Sequence, residues 1–330
     1  MSLRGVVART PLLLVLGGCA WDGPMSTLAG KSDVARAQLS VYAIITWAVV
    51  VIGVIVFAAL AWVLLRYRDR GAPGLPPQTR GHTLLEISWT VAPAIVLLVI
   101  AIPTIQVIFR TAGAATPKEA LEVTVRGWQW WWEFRYPTLD VVTANELHVP
   151  SGRTVVLRLE GPDVLHSFWV PQLGGKRDVV PGRTNVMVLT PNVPGEYWGQ
   201  CAEFCGTSHA NMRFRVVVDT PEDFERWTAA QKAPPAEPDG VAAEGKAVFA
   251  ASACVACHTI RGVSAGVIGP DLTHFGGRKM MMAGLRPNTP ENLVAWIRNP
   301  TALKPGAKMP AVRLTDAQAH AVAAYLAGLK

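Results

Sequence analysis

Apolar positions change their spacing three times along this chain, and each change marks a different kind of element. Val41 to Leu65 and Ile87 to Phe109 are nearly continuous apolar runs. Each is long enough to be a membrane span, the first reaching roughly 37 Å at 1.5 Å per helical residue. Pro93 and Pro103 fall inside the second run, which membrane helices tolerate. From Leu121 to Val218 the pattern turns to short β-rich segments: Leu121–Val125, Thr154–Leu159, Asn185–Leu189 and Arg213–Val218. Turn signals at Pro150-Ser151-Gly152, Pro181-Gly182 and Pro194-Gly195 separate them, which predicts an all-β sandwich or barrel. Thr220-Pro221 then opens a helix, with Thr220 as cap and Pro221 at the first helical position. Residues 232–240, KAPPAEPDG, have the composition of a linker. Beyond them the period is helical over Ala243–Ala250, Pro290–Arg298 and Thr315–Leu329, the last opening on a Thr315…Gln318 capping box. The expected order is a two-helix membrane hairpin (41–110), a β domain (118–231), a linker (232–240) and an all-α domain (241–330).

The ends of the first span orient the chain. Residues 1–19, MSLRGVVARTPLLLVLGGC, carry Arg4 and Arg9, an apolar stretch and small residues before Cys19, the order of a secretory signal. The ending Leu16-Gly17-Gly18-Cys19 is similar to a bacterial lipobox, which implies a mature chain starting at lipidated Cys19. Residues 20–40 would then be an exported segment. The loop between the spans holds Arg66, Arg68, Arg70 and Arg80 against Asp69, so it belongs on the cytoplasmic side. Everything after Phe109 is expected outside a bacterial plasma membrane.

Charge divides the exported part. Residues 121–232 hold 11 Lys/Arg against 13 Asp/Glu, whereas 240–330 hold 10 against 4. A mildly acidic module followed by a basic one suggests electrostatic docking of the two, although a basic face could also meet anionic lipid. No nucleic-acid partner is expected. Of the five cysteines, Cys19 stands alone and the other four form two close pairs, a spacing of metal or cofactor chemistry.

Residues 201–212 read Cys-Ala-Glu-Phe-Cys-Gly-Thr-Ser-His-Ala-Asn-Met. Two thiols, an imidazole and a thioether form a soft donor set suited to copper. A single blue copper would leave one thiolate spare. Two coppers bridged by Cys201 and Cys205 use them all, with one imidazole each from His209 and from His166 in the strand-like Val164–Phe168. A Cys201–Cys205 disulfide would leave the histidine and methionine unexplained, and a Cys2His2 zinc site has no use for Met212.

This segment resembles the binuclear CuA site of cytochrome c oxidase subunit II. The resemblance implies a cupredoxin-like sandwich and His166, Cys201, Cys205, His209 and Met212 as side-chain ligands. It also implies the Glu203 carbonyl as a ligand, with the Glu203 carboxylate facing a Mg²⁺ at the border with subunit I. Trp128-Gln129-Trp130-Trp131-Trp132 is similar to the family's aromatic segment beside CuA. It implies Trp130 as the surface residue where a cytochrome c delivers electrons. Strand alternation puts Trp128, Trp130 and Trp132 on one face and Trp131 on the other. Glu86, at the start of the second span, would mark the mouth of a proton-uptake channel, and it is otherwise an interfacial carboxylate reaching water. Asp178 lies in a segment similar to the family's pattern near the Mg²⁺.

Cys254-Val255-Ala256-Cys257-His258 is a c-type haem attachment motif, with two thioether positions and His258 as iron ligand. Lys304-Pro-Gly-Ala-Lys-Met309-Pro310 resembles the methionine loop of class I cytochromes c, which implies Met309 as the second ligand. Met280 to Met282 compete for that role, and His274 and His320 are expected to be solvated. The whole chain resembles an oxidase subunit II with a fused haem c domain. That implies electron transfer from cytochrome c, through haem c and CuA, to subunit I for O₂ reduction coupled to proton translocation. Subunits I and III of the family's complexes, and a soluble or membrane cytochrome c or a quinol–cytochrome c reductase as donor, are the implied partners. A CuA subunit of a nitric oxide reductase and a free membrane-anchored shuttle are the competing readings.

Overall fold

The structure, a computed structural model, describes residues 22–68, 74, 78, 80–112 and 118–330. Cys19 and the signal-like start lie outside the described residues. Of these, the described residues within 36–112 form one unit, and residues 22–35 with 118–330 form another.

Two helices, α1 (Asp33–Arg66) and α2 (Thr83–Ala112), carry the apolar runs. Both extend beyond the apolar stretches, because polar residues such as Asp33 and Glu86 suit a helix's first turn. At 34 and 30 residues they exceed the roughly 20 that a bilayer core requires. By length and composition both helices can cross a membrane.

Ten strands, β1 (Leu121–Trp128), β2 (Trp131–Tyr136), β3 (Val141–Ala144), β4 (Glu146–Pro150), β5 (Val155–Glu160), β6 (His166–Trp169), β7 (Arg177–Val179), β8 (Asn185–Leu189), β9 (Gly195–Cys201) and β10 (Arg213–Asp219), form two five-stranded sheets. One runs β3-β2-β1-β5-β8 and the other β4-β10-β9-β6-β7. β1 buries every second residue, Leu121, Val123 and Val125, as one core-facing sheet face requires. The aromatic centre of this core is Trp132, Phe168 and Phe214, with Trp132–Phe214 and Trp132–Phe168 centroids 5.3 and 5.6 Å apart. A helix α3 (Pro221–Lys232) follows, capped by Thr220, whose hydroxyl accepts from Asp223 N.

After residues 233–239, which form no helix or strand, come α4 (Gly240–Ala251), the single turn α5 (Cys254–Cys257), α6 (Pro290–Arg298), α7 (Pro300–Leu303) and α8 (Asp316–Gly328). Thr315 and Gln318 form the complete capping box of α8. Helix α4 crosses α8 at Gly245, where an added Cβ would lie 2.0 Å from the Ala321 carbonyl oxygen.

Candidate copper and haem centres

The copper-type cluster is set by strand pairing. β6 (His166–Trp169) lies antiparallel to β9 (Gly195–Cys201), with Phe168 opposite Cys201. β9 turns into the loop 202–208 and a 3-10 turn, His209–Asn211, and β10 then returns beside β9. Cys201 N donates to Met212 O at 2.9 Å, closing the loop at its base. The loop thereby gathers residues from both of its ends against a buried strand.

His166 Nδ1 lies 3.8 Å from Cys201 Sγ, which is 3.8 Å from Cys205 Sγ. Cys205 Sγ in turn lies 3.5 Å from His209 Nδ1 and 3.8 Å from Met212 Sδ. The Glu203 carbonyl oxygen stands 3.3 Å from Cys201 Sγ. Thus all six sequence-expected donors converge. His166, Cys201, Cys205 and Met212 are buried. A sulfur separation of 3.8 Å is far from the roughly 2.05 Å of a disulfide.

The electrostatics of the pair call for a cation. The contact with Cys205, joined by the hydrogen bond to His166, holds the Cys201 thiol down to about 4. The same contact, together with burial, pushes Cys205 upward. Two adjacent buried sulfurs do not both ionise unaided, and a metal bound there would supply the missing positive charge. Burial would lower the His166 pKa, but hydrogen bonds to Asp163 and Cys201 turn the net direction upward.

Sequence reasoning missed Asp163. Its Oδ1 accepts from His166 Nε2 at 2.9 Å and its Oδ2 from Gln129 N at 2.7 Å. That bond turns His166 Nδ1 toward the sulfurs, the usual service of a carboxylate behind a metal-binding histidine. The available signal was an acid three residues before His166.

The aromatic segment differs from simple alternation. β1 ends at Trp128 and β2 (Trp131–Tyr136) begins at Trp131, with Gln129 and Trp130 forming the turn between them. Trp128 and Trp131 therefore pair across the hairpin and stack, their centroids 6.0 Å apart, instead of facing opposite ways. Trp130 is also not at the surface: it is 8% exposed. Its Nε1 donates to Cys205 O at 3.0 Å, and its own carbonyl accepts from Lys304 of the C-terminal domain. The C-terminal domain covers the position that the resemblance had left open.

A cavity of about 530 Å³ lies in the C-terminal domain, lined by Cys254, Cys257, His258, Leu272, Phe275 and Met309 among others. Trp128, Trp130, Trp131 and Asp163 of the β domain close another part of it. His258 Nδ1 donates to the Pro270 carbonyl at 2.9 Å, leaving Nε2 free to ligate. Burial lowers the His258 pKa and keeps the imidazole neutral. Gly269 lies so close that an added Cβ would be 2.5 Å from His258 Cε1. Met280, Met281 and Met282 line the same cavity as Met309, but Met281 and Met282 are buried in the domain core. Arg278 Nε, also beside the cavity, is buried without a hydrogen-bond partner. The same guanidinium donates through Nη2 to the Asp271 carbonyl at 2.6 Å, and a mostly apolar space with one unpaired guanidinium N–H suits a porphyrin carrying carboxylates.

Other expected residues fall as follows. His320 is exposed, but His274 is 6% exposed and neither ring nitrogen has a hydrogen-bond partner, which corrects the expectation of a solvated side chain. The segment after the haem motif folds His274 inward beside Phe275, among core residues. Glu86 occupies the first turn of α2, and Asp178 is exposed on β7 (Arg177–Val179).

The same three regions match known protein families. Family models match residues 30–107 (cytochrome c oxidase subunit II, transmembrane domain), 138–220 (its periplasmic domain) and 242–330 (cytochrome c). Cytochrome c oxidase subunit 2 of Alkalihalophilus pseudofirmus is 38% identical, over 97% of this chain and 95% of the relative. The chain belongs to the cytochrome c oxidase subunit II family. The subunit 2 of Bacillus subtilis is 34% identical over 98% of this chain and 96% of the relative. The periplasmic domain of subunit II from Bradyrhizobium japonicum has 30% identity and a TM-score of 0.34, covering 36% of this chain and 97% of that one. As an oxidase subunit II with a cytochrome c domain, the chain is part of an oxidoreductase complex with subunit I, and its domains imply CuA copper and haem c.

Proposed function

We propose that His166, Cys201, the Glu203 carbonyl, Cys205, His209 and Met212 hold the binuclear copper, and that Cys254, Cys257, His258 and Met309 hold the haem. The observation that carries this reading is the convergence of all six copper donors around one pair of buried sulfurs. When bound, copper and haem supply reversible one-electron chemistry. The protein's part is geometric. β6, β9 and β10 fix the donors before metal arrives, and Asp163 holds the His166 tautomer. Pro270 orients His258, while Trp132 and its aromatic neighbours exclude water from the copper side. Half-buried Met309 sits on a loop facing the cavity, which favours it over the core methionines. In this reading Trp130 receives electrons from the fused domain rather than from a docked external protein, because that domain covers it.

The finer assignments follow from the family. The Glu203 carboxylate faces Mg²⁺ at the subunit I border, and Glu86 opens a proton-uptake route. Both C-terminal domains stand on the outer membrane face, and the assembly includes subunit III. The external donor is a cytochrome c or a quinol–cytochrome c reductase. Optical and paramagnetic resonance spectra of the purified chain test the centres: haem c bands and a mixed-valence copper signal from about two coppers per chain are expected. Bonded Cys201 and Cys205 sulfurs with no copper would overturn the reading. Turnover of the assembled complex on O₂ rather than nitric oxide tests the reaction.

A further inference from the structure

Lys304 is 4% exposed, and among the described residues no carboxylate lies within ion-pair distance of it. Its Nζ donates to Trp130 O at 2.6 Å and to Met282 O at 3.3 Å, so it joins the β domain to the haem domain. The connection continues inward. Trp130 Nε1 and Gln129 Nε2 donate to the Cys205 carbonyl at 3.0 and 2.8 Å. Next to Lys304, the Pro305 carbonyl accepts from the hydroxyl of Ser208, the neighbour of His209. Gly306 then runs at φ +78°, where an added Cβ would meet Trp130 at 3.0 Å and Thr207 at 3.2 Å. The loop ending at Met309 is therefore pressed onto the loop of copper-type ligands.

Burying an ammonium against carbonyls alone is costly, whereas a methionine or leucine would fill the same space without that cost. The position thus carries a charge that packing does not require. Burial pushes its pKa down to about 7, a shift that a weaker attraction to Cys205 opposes. Among the described residues, the ion pairs that join the two domains are more exposed: Lys279 with Glu196, and Lys308 with Asp163 at 3.9 Å.

We infer that Lys304 is a positioning residue for electron transfer between the two centres. It locks the haem-ligand loop to Trp130 and, through Trp130, to the Cys205 carbonyl, and it places a positive charge beside the copper side. The inference rests on the copper and haem assignment above.

The test uses the full chain in the assembled oxidase at pH 6, where Lys304 is protonated. In K304M, with copper and haem spectra intact, transfer from photoreduced haem to copper should slow roughly tenfold or more, as misplacement of reacting partners predicts. The copper midpoint potential should also fall, since a nearby positive charge favours the reduced form. K279M, which removes an exposed interface cation, should leave that potential unchanged. Wild-type rate and potential in K304M would overturn the inference. If K304M loses a cofactor, the wild type still decides: a buried joint makes its transfer rate insensitive to ionic strength, whereas slowing by salt would place the docking in the exposed pairs and overturn it. Wild-type protein without copper or haem signals would instead overturn the underlying assignment.

Discussion

At the scale of single residues, a short ligand loop is easy to read and its supports are not. Cys201, Glu203, Cys205, His209 and Met212 fall within a dozen positions, so the loop alone nearly states the donor set. Asp163 gives no such signal, because a carboxylate behind a histidine matters only once the ring's second nitrogen is seen to face the sulfurs. Asp163→Asn is expected to weaken copper binding by roughly 10–100-fold, because the amide no longer enforces one imidazole tautomer. Competition with a copper chelator measures this, and unchanged affinity would leave Asp163 with its backbone bonds to Gln129 and Val164 and its pair with Lys308.

At the scale of elements, local signals were strong where they were local in origin. Thr220 and Thr315 cap helices as their sequence context predicts, since capping involves only the next three residues. The tryptophan run shows the reverse. Alternation describes a strand, but the chain turns at Gln129 and Trp130, and the period is lost where the hairpin bends. Helix packing likewise rests on a glycine with no sequence signature. Gly245→Ala drives a Cβ against the Ala321 carbonyl, which is backbone and cannot swing aside. A loss of about 1–3 kcal/mol from the haem domain is expected in a denaturant titration followed by far-ultraviolet circular dichroism. A midpoint matching the wild type would mean α4 and α8 separate without cost.

At the scale of the whole molecule, the uneven charge suggested a docking held by opposite fields, and the contacts qualify that idea. An exposed Lys279–Glu196 pair is present, but Met280 N also donates to buried Glu146 at 2.9 Å and Lys304 reaches Trp130 O. The Lys304 pKa gives a linkage with a definite sign. Its folded value, about 7, lies below the ordinary 10.5, so between these values the unfolded chain binds more protons. Stability then rises with pH across that window, by about 2 kcal/mol from pH 7 to 9 from this group. Comparing wild type with K304M by urea titration at both values isolates it: the gain should vanish in the variant. An equal gain in both would show that Lys304 keeps the ordinary pKa of a solvated lysine in the folded protein.

Taken alone, the order of residues determined the two spans, the β and helical modules, the haem motif and the copper loop, because each depends on neighbours within a few turns or strands. Tertiary structure alone decided that Trp130 is covered, that His274 is buried, and that Lys304 meets a carbonyl 174 positions away in the chain. Those outcomes depend on which surfaces meet when separate modules fold against each other, and contacts between distant segments leave no period or spacing in the chain.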